Sequence, residues 1–192
     1  MRPKGGLGID MTREAENLVL LRPWKQDDRE PLAKLANDRR IWINMRDAFP
    51  HPYGLEDADR FIQMAQRMVP QTYFGVEDSG ALAGGIGYTL HGDVERIVAE
   101  VGYWLGVSFW GRGIATRALR IVTSLAFSEH QELRRLYAVP FASNPASARV
   151  LEKAGYKREA VLRQNVIKDG VVLDQWVYAI LRAEAGMCGV GA

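Results

Sequence analysis

A run of apolar residues that opens straight into a glycine-bearing loop and then a helix most restricts what this chain can fold into. Residues 100–116 read EVGYWLGVSFWGRGIAT. Ile97–Leu105 is nearly all apolar, which predicts a strand covered on both faces in the middle of a sheet. Gly111 and Gly113 let the chain turn, and Ala115, Ala118, Leu119, Val122 and Ala126 supply the stripe of a helix running through about Ser128. Leu133–Val139 reads as a second buried strand. Strand, loop, helix and strand in this order form a β-α-β unit, so the two strands are expected to be parallel with a right-handed crossover.

Antiparallel structure is expected on either side of this unit. Leu18–Leu21, closed by Arg22 and Pro23, reads as a first strand near a sheet edge, since proline cannot donate to a ladder. Asp27 or Asp28 then caps a helix with the stripe Pro31, Leu32, Leu35 and Ala36, and Ile41, Trp42 and Met45 add a further helical turn. The segment Phe49-Pro50-His51-Pro52-Tyr53-Gly54 excludes regular structure, because each proline fixes its own φ and restricts the residue before it. Leu55, Ala58, Phe61, Ile62, Ala65 and Met68 recur at helical spacing, with Glu56, Asp57 and Asp59 in the first turn and Pro70 as the stop. Thr72–Glu77 and Leu82–His91 flank the turn Asp78-Ser79-Gly80, and Arg158–Lys168 and Val171–Leu181 flank Asp169-Gly170, as two hairpins. Between them Asn144 and Pro145 open a helix that Gly155 ends. The sum is an α/β (α+β) domain with a mixed, mostly antiparallel sheet, one parallel pair in its middle, and helices on its flanks.

Bulk properties narrow the function classes. With 192 residues the chain suits one domain with its own core. That domain is expected over 18–183, after a polar, Gly-rich leader at 1–17 and before a flexible small-residue tail at 184–192. Lys and Arg number 25 against 23 acidic residues, a formal charge of +2, which gives no support for nucleic acid as a partner. The single cysteine, Cys188, provides neither a disulfide framework nor a thiolate cluster. No apolar run approaches the roughly 20 residues of a membrane-spanning helix, so a protein of the reducing cytoplasm, away from membranes, is expected.

The chemistry is expected where the central strand meets the loop. A helix start presents unpaired amides and the positive end of a dipole, and glycines at 111 and 113 let an anion approach the backbone. Arg112 and Arg117 add positive charge nearby. A dinucleotide would want a third glycine at 116, where Thr116 stands, although Glu132 lies about 20 residues on, where a ribose-binding acid is expected. That alternative is weakened and stays open on spacing alone. His51, His91 and His130 have no metal-ligand spacing, and neither a Walker sequence nor a nucleophile elbow is present. No metal and no covalent enzyme intermediate are expected.

The same stretch resembles the cofactor motif of the GNAT N-acetyltransferases, in which a Gln or Arg and two further residues precede Gly-x-Gly. Gly111 and Gly113 match, and Ser108 stands in the Gln or Arg position. Residues 144–156, NPASARVLEKAGY, look like the family's second helix, and residues 18–24, 37–53 and 168–174 look like the branch that contains the ribosomal-protein N-terminal acetyltransferases. The resemblance extends over 18–183. It implies a GNAT fold of about seven strands, with the central parallel pair splayed into a V that receives acetyl-CoA. The pantetheine arm would pair with the strand near Leu105, Gly106 and Val107, and the pyrophosphate would rest on the amides of Gly111, Arg112, Gly113, Ile114, Ala115 and Thr116, with Trp110 beside them as a further cofactor contact. Asn144 and Ser147 would also touch the cofactor.

Within that resemblance, acyl transfer to an amine needs a neutral nucleophile, a polarised carbonyl and help for the departing sulfur. Glu100, the one charge between Ile97 and Leu105, is the candidate base, its carboxylate being expected in apolar surroundings. It also reads as a buried acid satisfying a backbone amide or an arginine. The tyrosine that many family members carry after the asparagine is replaced by Leu151, which leaves Ser147 as the nearest acid and Asn144 as cap and pantetheine contact. Ser147 also reads as a hydroxyl bonded one turn back. Trp42, Asn44, Arg46, Phe49, His51 and Tyr53 are candidates for the acceptor wall, since rigid aromatic loops commonly line binding sites, and Asp174 is a candidate to hold the acceptor amine that also reads as a solvated strand carboxylate. The acceptor is a primary amine, a protein N-terminal α-amine on branch resemblance or a small molecule otherwise. A sensor that holds acyl-CoA without turnover is the non-enzymatic alternative. A homodimer is an expectation that no residue pattern argues for.

Overall fold

A computed structural model describes residues 19–186. The expected leader and residues 187–192 of the expected tail lie outside them. Seven strands form one sheet: β1 (Val19–Arg22), β2 (Tyr73–Asp78), β3 (Ala81–Leu90), β4 (Val98–Leu105), β5 (Arg135–Ala138), β6 (Lys157–Lys168) and β7 (Val171–Leu181). Their order is β1-β2-β3-β4-β5-β7-β6, and every adjacent pair is antiparallel except β4 with β5. The helices are α1 (Arg29–Ala36), α2 (Arg39–Trp42), α3 (Leu55–Arg67), α4 (Ile114–Glu129), α5 (Pro145–Lys153) and α6 (Arg182–Ala185).

Two apolar layers sandwich the sheet. On one face Ile114, Ala118, Leu119 and Val122 of α4 and Ala148 and Leu151 of α5 bury against Val76, Ile86, Val101 and Leu136. On the other, Leu32 and Ala36 of α1 and Ala58, Ile62 and Ala65 of α3 close over Trp24, Tyr53 and Leu82. Each helix thus buries the stripe that its 3.6-residue period lays out. Asn144 caps α5, its Oδ1 accepting from the Ser147 amide at 3.1 Å.

Several expectations change. β4 is not covered on both faces: Ala99, Val101 and Leu105 are buried, whereas Glu100, Gly102 and Trp104 alternate onto the opposite face and are partly open. An apolar run therefore marks here one face in the core and one face along a cavity. β5 is four residues long because the Leu133 amide closes a turn onto His130 O at 3.0 Å before the strand begins. Asp28 caps a 3-10 turn, accepting from the Lys25 amide at 2.8 Å, and its carboxylate also holds Arg22 at 2.7 Å. Regular structure runs past 183, since Glu184 and Ala185 belong to α6, where Glu184 accepts from the Leu181 amide at 3.0 Å.

Candidate active site

The parallel strands stay paired over three positions only, Val98↔Arg135, Ala99↔Leu136 and Glu100↔Tyr137. Beyond Glu100 the two diverge, and β4 runs on to Leu105. A cavity of about 1090 Å³ passes through this opening and joins the two faces of the sheet. One end is lined by the loop before α4, the other by α2, the Phe49–Tyr53 loop and α3.

Local backbone chemistry builds the first end. Gly111 and Gly113 have φ of +74° and +73°, where a Cβ is strained, and α4 starts at the next residue. The first amides of a helix have no partner within it, and here Gly113, Ile114, Ala115 and Thr116 line the cavity. An anion seated there meets N–H donors and the positive end of a 16-residue helix. The Trp110 indole donates to Leu105 O at 2.9 Å and ties the loop to the strand end. Arg112 is corrected: its guanidinium turns to the buried carboxylate of Asp78 at 2.6 Å, and Arg117 lies 4.0 Å from the other oxygen of the same acid. Both cations are already drawn toward a fixed negative charge. Arg149 and Lys153 line the cavity instead, one helical turn apart on the same face of α5 as Ala146 and Val150. Gly106 and Val107 do not line it. The Gly106 amide donates to Ala83 O at 2.8 Å, and a Cβ there would stand 2.5 Å from Leu35.

At the waist the catalytic candidates come together. Glu100 lines the cavity as expected, but it is not isolated, because Arg46 donates to its Oε1. Glu100 thus satisfies an arginine and faces the cavity at once. Asn144 and Ser147 face it from the start of α5. Ser147 Oγ does not bond one turn back. It lies 2.8 Å from the Tyr103 hydroxyl, which is also 3.1 Å from Ser147 O. Burial pushes the Tyr103 phenol far above its usual range, so it stays a neutral donor. No local signal in the sequence marks Tyr103. It stands three residues after Glu100, yet no spacing rule places it against a serine 44 positions away.

At the far end Asn44, Arg46, Phe49 and Tyr53 line the cavity, with Phe49 packed on Tyr53 at 4.9 Å and on Trp104 at 5.7 Å between ring centres. Arg40, Phe61, Met64, Tyr73, Thr89 and Trp104 line it too, and of these only Phe61 belongs to the stripe that α3's helical period lays out. Three candidates are corrected. Trp42 and His51 stack on each other at 5.6 Å, and the buried Lys168 ammonium sits 3.9 Å from the Trp42 ring, so these aromatic faces are used in fixing the loop. Asp174 accepts from the Gln164 amide at 2.8 Å inside the irregular β6–β7 pairing and does not reach the cavity.

Residues 19–157 match the model of the acetyltransferase (GNAT) domain. The chain belongs to the GNAT family. This GNAT enzyme is 32% identical over 182 residues to the uncharacterized N-acetyltransferase YoaA of Bacillus subtilis, covering 88% of this chain and 96% of that protein. It is 26% identical over 154 residues to the ribosomal-protein-serine acetyltransferase of Escherichia coli, covering 78% and 85%. Its fold matches RimJ of Mycobacterium smegmatis, solved with a CoA disulfide, at a TM-score of 0.75 with 23% identity, covering 88% and 85%. The protein is an N-acetyltransferase with acetyl-CoA as donor, which sets aside the sensor and dinucleotide readings. The cavity fits that donor: bare glycine backbone at a helix start for the pyrophosphate, where a Cβ on Gly111 would meet no atom, and a strand left without its partner for the pantetheine amides.

Proposed function

We infer that this enzyme acetylates the α-amine of a protein or peptide N-terminus, with Glu100 at the junction of the two reactants. The position of Glu100 carries this reading. It is the last residue of the parallel pairing, placed where the strands part and the cavity crosses the sheet. Acetyl-CoA supplies an activated thioester. The amides of Gly113, Ile114, Ala115 and Thr116 hold its pyrophosphate, Leu105 lies along its arm, and Arg149 and Lys153 add positive charge.

From the other side an ammonium meets the Glu100 carboxylate, which accepts its proton directly or through one water and frees the lone pair. Arg46 keeps that carboxylate in place. Asn144 spends its Oδ1 on the helix cap, and its amide nitrogen makes no protein hydrogen bond among the described residues, so it is free to donate into the cavity. Ser147 Oγ and the Tyr103 hydroxyl share one hydrogen bond, and in the arrangement in which Tyr103 is its donor the serine proton is free to point at the sulfur. Both hydroxyls are far weaker acids than a thiol, so their part is a hydrogen bond to developing charge rather than delivery of a proton. Positioning of two reactants in one waist supplies the remainder.

A protein N-terminus is favoured over a bare amine by the length of cavity beyond Glu100, walled by Asn44, Arg46, Phe49 and Tyr53, and by the relative that acts on a ribosomal-protein serine. The test is a panel of peptides with free and blocked N-termini alongside polyamines and aminoglycosides, with the acetyl group located by tandem mass spectrometry. Acetyl on small amines alone ends the N-terminal reading. Glu100→Gln is expected to lower kcat about 100-fold while calorimetric binding of acetyl-CoA holds. Retained turnover across pH removes Glu100 as the base.

A further inference from the structure

The floor of the acceptor end holds a glycine that the protein itself does not require. Three register pairs between β3 and β4 form this floor: Thr89↔Glu100, Gly87↔Gly102 and Gly85↔Trp104. Its three glycines have different reasons. A Cβ on Gly87 would stand 2.7 Å from Thr72 O and Tyr73, so packing excludes a side chain there, and one on Gly85 would stand 3.0 Å from both Trp24 and Trp104, which would have to give way. A Cβ on Gly102 would meet nothing within 4 Å. Its φ is not in the left-handed region either. Glycine inside a strand weakens it, and in that position commonly marks a close approach by a ligand or another backbone.

The surroundings say what approaches. Gly102 shares its face with Glu100, two residues away or about 7 Å along a strand. On the other side Trp104 and Phe49 form an apolar wall. The hollow is therefore bounded by the proposed base at one end and by aromatic rings at the other. An amine delivered to Glu100 lays the substituent of its own carbon over this hollow. Tyr103, Ser147 and the helix-start amides belong to the opposite face, so the cofactor's anchored parts lie elsewhere.

We propose that Gly102 determines acceptor specificity: the missing side chain leaves the hollow that receives the side chain of the acceptor's first residue, an uncharged one. The proposal rests on the N-terminal reading of function, and it deepens that reading by naming which amines fit. It is a steric role and leaves donor binding untouched.

The experiment compares wild type with Gly102→Ala and Gly102→Val on peptides that differ only at the first residue: Gly, Ala, Ser and Leu. For Gly102→Ala, kcat/KM is expected to stay within about threefold on the Gly peptide and to fall about tenfold or more on Ser and Leu peptides, with a steeper trend for Gly102→Val. Calorimetric affinity for acetyl-CoA is expected to hold, and the thermal midpoint to hold or rise. Three results overturn the proposal: an equal loss for every first residue, a loss that follows acyl length across acetyl-, propionyl- and butyryl-CoA, or a lowered thermal midpoint. If wild type acetylates no peptide, the N-terminal reading fails by itself. The hollow is then tested with n-propylamine against isopropylamine, where an equal response of both in Gly102→Ala overturns it and a selective loss of the branched amine upholds it.

Discussion

At the donor end of the cavity the pyrophosphate cradle is made of neighbours in the chain, Gly111, Gly113 and the first turn of α4, and it acts through backbone amides. At the acceptor end Arg46 meets Glu100 across 54 positions, and Lys168 meets Asp47 across 121, through side chains alone. The donor end needs a conformation, which glycine and a helix start provide locally. The acceptor end needs partners, which only the assembled sheet delivers. Substitutions at the two ends should therefore separate donor affinity from acceptor recognition.

The largest effect is expected at Asp47. Lys168 is buried to 1% of its side-chain surface, with Asp47 and the Trp42 ring as its partners, while Asp47 itself is largely exposed. Asp47→Ala leaves a buried ammonium without its carboxylate and should cost about 3 kcal/mol in denaturant unfolding. Lys168→Met removes the charge along with its burial cost and should stay within about 1.5 kcal/mol. Both should raise KM for the acceptor without changing acetyl-CoA affinity, and a matching loss of acetyl-CoA binding would break the contrast between the ends.

Gly113→Ala sharpens it from the other side. At φ +73° a Cβ costs about 1–2 kcal/mol, so relaxation of the loop should weaken acetyl-CoA binding about tenfold by calorimetry, with acceptor KM unchanged. An unchanged affinity would mean that the cradle does not depend on this turn.

A smaller effect is confined to alkaline pH. Burial, with Asp57 nearby, pushes Tyr53 up to about 12, and burial, with Glu129 nearby, does the same for Tyr88. Their folded-state pKa is raised, so above about pH 10 the unfolded chain releases protons that the folded chain keeps. Stability should be full below pH 10 and fall toward pH 12, and Tyr53→Phe at the acceptor end should flatten that fall. An unchanged slope would place the titration elsewhere. The smallest change is expected for Arg39→Ala, which breaks an exposed pair with Asp169 beside the acceptor loop, at under about 1 kcal/mol.

Much of the fold was legible because it is periodic. The α4 stripe, the Asn144 cap and the Asp169-Gly170 turn each follow from local rules, and the structure places them within a few residues of expectation. Of the site, the Gly-x-Gly loop and Glu100 were legible. Tyr103 was not, because its strand reads as apolar apart from Glu100 and its partner lies on another element. Trp42, His51 and Asp174 were misplaced for a related reason. A polar or aromatic side chain at a helix end, on a loop or on a strand looks equally suited to a ligand and to a neighbour, and here Lys168 and the Gln164 amide are the neighbours.

The sequence by itself determined which segments are helices and strands, that one β-α-β unit lies inside an otherwise antiparallel sheet, and that a bare backbone precedes α4. These depend on residue type and spacing over a few turns of chain. Tertiary structure alone decided that β4 and β5 part after Glu100, that Arg112 is drawn to Asp78 and away from the cavity, and that Gly102 faces open space beside the base. Each of these depends on which distant surface a side chain meets. That is set by the packing of whole elements, where burial and pairing outweigh local preference.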